Sequence, residues 1–156
     1  MTMIHLETRI AAPIHLCFDL SRSVDVHSTS MAAIRERVIA GRMTGLLELD
    51  ETVTWQAYPL GIRQRLTSKI TAMEKPYRFV DEMVEGFFTH MRHEHLFEQK
   101  DSDVMMVDQF CYTPPLGWIG NLFDWLFLKR LMTTLLTKRN QAIKKIAEEE
   151  SLSASG

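Results

Sequence analysis

An α+β fold, with a curved antiparallel sheet of about seven strands held against a long C-terminal helix, is what the sequence predicts. Three observations carry that expectation. Between Thr52 and Tyr112, apolar and polar residues alternate in strand-like runs separated by turn-forming clusters. Pro114-Pro115 ends that region, and from Trp118 to about Glu149 apolar residues recur at helical spacing. Ahead of the alternating region, one strand pattern is followed by two short helical ones. A chain of 156 residues with 46% hydrophobic residues suits one domain, placed at residues 1–150, with 151–156 expected as a disordered tail.

The elements follow in order. Ile4 to Ile10 alternates as a first strand, with Ile4, Leu6, Thr8 and Ile10 on one face. Ala12-Pro13 opens a short helix, because proline suits a first helical turn and Ile14, Leu16, Cys17, Phe18 and Leu20 supply its apolar contacts. A second short helix is expected over Val24 to Ser30 and a strand over Ile34 to Ile39. Thr52 to Tyr58, Ile62 to Met73, Arg78 to Glu85, Thr89 to Glu98 and Val104 to Tyr112 then read as an antiparallel meander. Its turns are Pro59-Leu60-Gly61, Glu74-Lys75-Pro76-Tyr77, the region of Gly86 and Lys100-Asp101-Ser102-Asp103. Thr44 to Asp50 is a connecting loop that suits a cover for an internal space.

Alternation across tight hairpins assigns faces, since side chains alternate with period two. The inner set is Val53, Trp55, Ala57, Ile62, Gln64, Leu66, Ser68, Ile70, Phe79, Asp81, Met83, Glu85, Phe87, Met91, His93, His95, Phe97, Val104, Met106, Asp108, Phe110 and Tyr112. Arg63, Arg65, Lys69, Arg78, Glu82, Arg92, Glu94 and Glu98 fall on the solvent face. In this register Asp81, His95 and Asp108 lie side by side, with His93 and Glu85 one step away. Three of the six histidines are His90, His93 and His95, and alternation leaves His90 off the inner set.

Burying so many ionisable groups is costly unless they pair, hydrogen-bond or line a space that a ligand enters. Three readings stand: a satisfied Asp–His–Asp network, a polar patch inside a ligand cavity, or a metal or catalytic site. His93 and His95, at i and i+2, would take Asp108 or Glu85 as third metal ligand; no metal and no cofactor is assigned. For acid–base work the candidates are His93, His95, Asp81 and Asp108, a histidine between carboxylates being held in one tautomer. Tyr112 and Gln64 are placed to bond a ligand carbonyl. Neither a Gly-x-Ser-x-Gly motif nor a phosphate-cradling glycine loop is present.

Charge and targeting narrow the partners. With 18 Lys and Arg against 20 Asp and Glu, no basic footprint for nucleic acid is expected. Cys17 and Cys111 suggest no disulfide framework, so a reduced, cytoplasmic setting is the simpler reading. Leu116 to Leu128 is the most apolar stretch, but Asn121 and Asp124 interrupt it short of the ~18 apolar residues of a transmembrane helix. Trp118, Ile119, Leu122, Phe123, Trp125, Leu126, Phe127 and Leu128 are expected to pack on the sheet and loops. Transient contact with a membrane surface is the alternative, next to Lys129-Arg130. A monomer and a homodimer are both compatible with the sequence.

Several stretches resemble a bacterial group of small ligand-binding proteins in the SRPBCC superfamily. They are Thr52-Val53-Thr54-Trp55, Gly61 to Ser68, Arg78-Phe79-Val80-Asp81-Glu82, Arg92-His93-Glu94-His95-x-Phe97-Glu98 and Pro115-Leu116-Gly117. That superfamily includes START lipid-transfer domains, birch-pollen-allergen-like proteins and polyketide cyclase/dehydrase-like proteins. The resemblance implies the helix-grip fold, in which the sheet curls around the C-terminal helix and leaves an apolar tunnel for a lipid, polyketide or aromatic molecule. It implies a small hydrophobic partner, with a cyclase- or dehydrase-like enzyme as the alternative. Trp55, Gln64, Leu66, Ser68, Phe79, Met83, Glu85, Phe87, Met91, Phe97, Met106, Phe110, Tyr112, Leu122 and Leu126 are the expected walls, and ten methionines suit an adaptable interior.

Overall fold

The computed structural model describes residues 1–156. The strands are β1 (Thr2–Ile10), β2 (Arg37–Gly41), β3 (Thr52–Ala57), β4 (Gln64–Glu74), β5 (Arg78–Glu85), β6 (His90–Lys100) and β7 (Asp103–Thr113). All pair antiparallel in one sheet, ordered β1-β7-β6-β5-β4-β3-β2, so the first and last strands are neighbours. Helices α1 (Ile14–Ser21) and α2 (Val24–Ser30) follow β1, with Pro13 preceding α1 and the Ser23 side chain accepting from Val26 N–H as the α2 N-cap. After β7 come α3 (Gly117–Phe123), a π-helical turn (Asp124–Leu128) and α4 (Lys129–Ser155). This is the expected helix-grip arrangement. Two boundaries are corrected: the strand expected over Ile34 to Ile39 runs from Arg37 to Gly41, and residues 151–156, read as a disordered tail, carry α4 on to Ser155.

Two core clusters flank the space between sheet and helix. One gathers Ile10, Phe18, Val24, Phe79, Phe97, Met106 and Ile143, where α1, α2 and the later half of α4 meet the sheet. The other gathers Ile4, Met91, Phe110, Tyr112, Leu128 and Leu136. The buried stripe of α4 is Leu135, Leu136, Arg139, Asn140, Ile143 and Ala147, a three-four spacing that keeps one face on the sheet.

Register explains the main differences from the sequence reading. β6 and β7 pair as expected, with His95 opposite Asp108. β5 is displaced by two residues: Asp81 lies opposite His93, and Phe79 opposite His95. A shift of two keeps every side chain on its face, so the inner set survives. β4 departs from regular pairing between Thr67 and Ser68 and again between Ile70 and Ala72. Such bulges bend a strand and re-aim its neighbours. Opposite the first of them Glu85 is exposed, which removes it from the interior.

The π-helical turn redirects the first part of the C-terminal helix. Lys129 N–H bonds the Asp124 carbonyl across this turn, one residue more than an α-helix spans. Extending the α4 stripe backwards at 3.6 residues per turn would turn Asn121 and Trp125 inward. Gly120 and Asp124 are buried in their place. Gly120 lies against the Pro115 carbonyl with no room for a Cβ. Asp124 accepts from the hydroxyls of Thr2 and Tyr112, which ties the turn to β1 and β7.

Candidate functional site

A cavity of about 450 Å³ lies between the sheet and α4. That volume falls within the range of small-molecule sites. Most of its wall is apolar, contributed by Trp55, Leu66, Phe79, Met91 and Phe110 from the sheet and by Leu131, Met132, Leu135 and Leu136 from α4. Gln64, Ser68 and Phe87 also line it, as expected from alternation. Lining residues that reach solvent mark the mouth: Leu60, Ile62, Phe87, Leu116 and Phe123. Leu47 joins the first core cluster and the wall, so the 44–50 loop seals the cavity beside α2. Arg22, nearly fully buried, anchors that loop through the Leu47 carbonyl and Glu48.

Other expected wall residues lie elsewhere. Phe97 and Met106 are inside the first core cluster, and Met83 packs beside the second, all outside the lining. Tyr112 is buried with its hydroxyl committed to Asp124, so it is not a ligand donor. Leu122 and Leu126 are 49% and 48% exposed and face outward as a result of the π-helical turn.

The polar end of the cavity is a six-residue network. Asp108 is completely buried on β7. Its Oδ1 lies 2.8 Å from His93 Nε2, 3.2 Å from His95 Nδ1 and 3.3 Å from Arg139 Nη1. Its Oδ2 accepts from Asn140 Nδ2 at 2.7 Å. His95 Nε2 reaches Asp81 Oδ2 at 3.0 Å, and its ring stacks on Phe79 with centroids 4.1 Å apart. Arg139 also donates to the Ser21 carbonyl at 3.0 Å and to Asn140 Oδ1 at 2.9 Å. Asp81, His93, His95 and Asp108 thus come together, His93 reaching Asp108 and His95 reaching Asp81 along diagonals, with Asp108 directly opposite His95. Asp108 stands behind the histidines, while Asp81, His93 and His95 line the cavity.

Arg139 and Asn140 complete the network without having been expected in it. Arg139 reads as one of the solvated basic residues near a helix C-terminus, yet it is 2% exposed. The available signal was positional: these residues lie three and four places after Leu136 and before Ile143, on the apolar stripe.

Burial opposes ionisation of Asp108, but hydrogen bonds from His93 and His95 and the Arg139 charge outweigh it, holding the carboxyl well below its usual range. Asp81 is lowered by the same balance, burial against its His95 bond and the surrounding positive groups. Burial, then the neighbouring His95, pushes His93 down to about 4 against the pull of Asp108. A neutral His93 that gives its Nε2 proton to Asp108 presents Nδ1 as a lone pair, able to accept a proton or bond a donor.

This sets a pH dependence. The unfolded His93 ring takes up its proton near 6.5 and the folded one only near 4. Its contribution to stability is therefore full above about 6.5 and falls away towards about 4; the two depressed carboxylates extend the loss at more acid pH. In metal-free buffer the urea midpoint is expected to drop from about pH 7 to about pH 4.5, and His93→Gln to flatten that segment. Parallel profiles for the two proteins would contradict the assignment.

The first part of the C-terminal helix differs from expectation. Trp118, Ile119, Trp125 and Phe127 are 76%, 54%, 78% and 58% exposed. Packing of this half-helix on the sheet is therefore corrected: its inward face consists of Gly120, Asp124 and Leu128. No helix is long and apolar enough to cross a membrane.

No family model matches the chain, and no curated protein matches it in sequence. Solved structures do match in fold. TTHA0849 from Thermus thermophilus is 19% identical, with 99% of this chain and 100% of that one covered at a TM-score of 0.76. A START superfamily protein from Mycobacterium smegmatis is 10% identical, covering 94% and 97% of the two chains at a TM-score of 0.70. Ginseng major latex-like protein 151 from Panax ginseng is 13% identical, with the same coverages and a TM-score of 0.68. At these identities the likeness is one of fold alone: the chain has the helix-grip fold.

Proposed function

We propose that this protein binds one small hydrophobic or amphipathic molecule in the cavity between its sheet and α4. The observation that carries the reading is the cavity itself, about 450 Å³ with largely apolar walls and a polar end. An apolar body gains by leaving water for walls such as Trp55, Leu66, Phe110 and Leu135. A polar head fits the other end, where His93 Nδ1 accepts and Asp81 is still partly exposed. A lipid, polyketide or aromatic ligand bearing one hydroxyl or amide has that shape.

Native mass spectrometry of freshly purified protein is expected to show a co-purified adduct, or one-to-one binding of an added polarity-sensitive dye. Ser68, buried in the wall, offers a control. Ser68→Trp should occupy the cavity and lower dye affinity by about tenfold or more, given the apolar area denied to the ligand. Equal dye binding by wild type and a folded Ser68→Trp variant would sink the proposal.

The mouth supports loading of the ligand from a lipid surface. Leu60, Ile62 and Leu116 at the rim continue into Trp118, Ile119, Leu122 and Trp125, all exposed, with Lys129 and Arg130 beyond. Such a surface suits the membrane interface, where aromatic residues settle at headgroup depth and cations meet anionic lipid.

A further inference from the structure

The polar end of the cavity holds three donor groups with a lone pair and a charge left over. His93 donates Nε2–H to Asp108, so the Nδ1 of the neutral ring is a lone pair that no protein donor meets. In His95, Nε2 donates to Asp81 Oδ2 at 3.0 Å and Nδ1 accepts from Arg139 Nη2 at 3.5 Å, with Asp108 Oδ1 3.2 Å from the same nitrogen. The proton between Nε2 and Asp81 Oδ2 is the one a metal ion would displace on binding there. Asp108 is balanced by Arg139, whereas Asp81 has no lysine or arginine partner. Ligand atoms of Asp81, His93 and His95 all lie within 4.8 Å of one another.

We propose that Asp81, His93 and His95 form a site for one divalent transition-metal ion, zinc foremost, with Asp108 supporting both imidazoles and a fourth coordination position facing the cavity. Two imidazoles and one carboxylate suit zinc, and three protein ligands with one open position is the arrangement of a zinc site that meets a ligand. Ligand atoms of a tetrahedral ion at about 2.0 Å lie about 3.3 Å apart, close to the existing Asp81–His95 separation. Asp108 plays the part of the carboxylate that fixes the tautomer and aim of metal-bound histidines. Sequence reading placed Asp108 or Glu85 at the third corner. The structure gives that corner to Asp81, because β5 is displaced by two residues and Glu85 is exposed. A cavity ligand with an oxygen or nitrogen head would complete the coordination shell.

Metal-stripped protein titrated with zinc chloride by calorimetry is expected to take up one equivalent, and cobalt chloride to give the visible bands of a tetrahedral ion. Asp81→Asn should weaken zinc binding at least about tenfold, while Glu85→Gln, exposed on the same strand, should bind as wild type. X-ray absorption at the zinc edge of the wild-type complex provides a reading independent of variant folding, with two imidazoles expected in the shell. The proposal is overturned by absence of saturable one-to-one binding, by unchanged affinity in folded Asp81→Asn, or by a shell without imidazole.

Discussion

Replacing Asp108 by alanine is expected to destabilise the protein by about 3–5 kcal/mol, the cost of stranding one member of a buried ionic network. The loss does not come from the acid's own attraction alone. Arg139 is 2% exposed and keeps the Ser21 carbonyl, Asn140 Oδ1 and a long contact to His95 Nδ1 but no carboxylate once Asp108 is gone. Asn140 Nδ2 and His93 Nε2, both on buried side chains, also lose their acceptor. For a chain of this size the change corresponds to a Tm lower by roughly 10 °C. The paired variant Asp108→Leu with Arg139→Met, which removes both charges and keeps bulk, should recover much of the loss. Thermal and urea melts of wild type, single and double variants check this. A single variant melting within a degree or two of wild type would mean that the network does not hold α4 to the sheet.

The second large effect is expected at the mouth. Wild-type protein should co-sediment with liposomes containing anionic lipid, and Trp118→Ser with Trp125→Ser should reduce the bound fraction by about tenfold or more. Transfer of a large apolar side chain contributes about 1.5–3 kcal/mol, and both indoles are more than three-quarters exposed. Neither touches the core clusters, so the double variant should melt like wild type. Raised salt should weaken the part of binding that rests on Lys129 and Arg130. Wild-type protein left in the supernatant at every lipid composition would remove the docking surface from the proposed function.

Much of this site is legible in the amino-acid sequence. His93, His95 and Asp108 fall on one face by alternation alone, and the β6–β7 pairing follows from a short polar turn. The two-residue displacement of β5 is invisible there for a physical reason: even shifts preserve sidedness, so hydrophobic pattern does not oppose them. Glu85 obeys the same alternation yet is exposed, because pattern carries no information about the irregular pairing at Thr67 and Ser68. Arg139 is hidden by its chemistry. A guanidinium in a helix of Lys, Arg and Glu reads as solvated, and only its place on the stripe with Leu136 and Ile143 argues otherwise. The direction of Leu122 and Leu126 depends on one extra residue in a helical turn, which propensity does not register.

That turn has a consequence for how the molecule can change. One residue in an α-helix is worth about 100° of rotation, so the stretch from Asp124 to Leu128 works as a crank between two lengths of the same rod. The rod's far end is keyed to Asp108 and the sheet, while its near end is free to present whatever side chains the mouth requires. Substitutions at the exposed positions from Trp118 to Phe127, Gly120 and Asp124 excepted, can therefore drift with the surroundings without disturbing the ionic lock. Winding the crank as a regular α-helical turn of the same length would swing the tryptophans inward and carry Asp124 away from Tyr112, whereas deleting one residue there would close the bulge and leave Asp124 in place. The extra residue wound into that turn, more than any side chain, decides which medium the front of the helix meets.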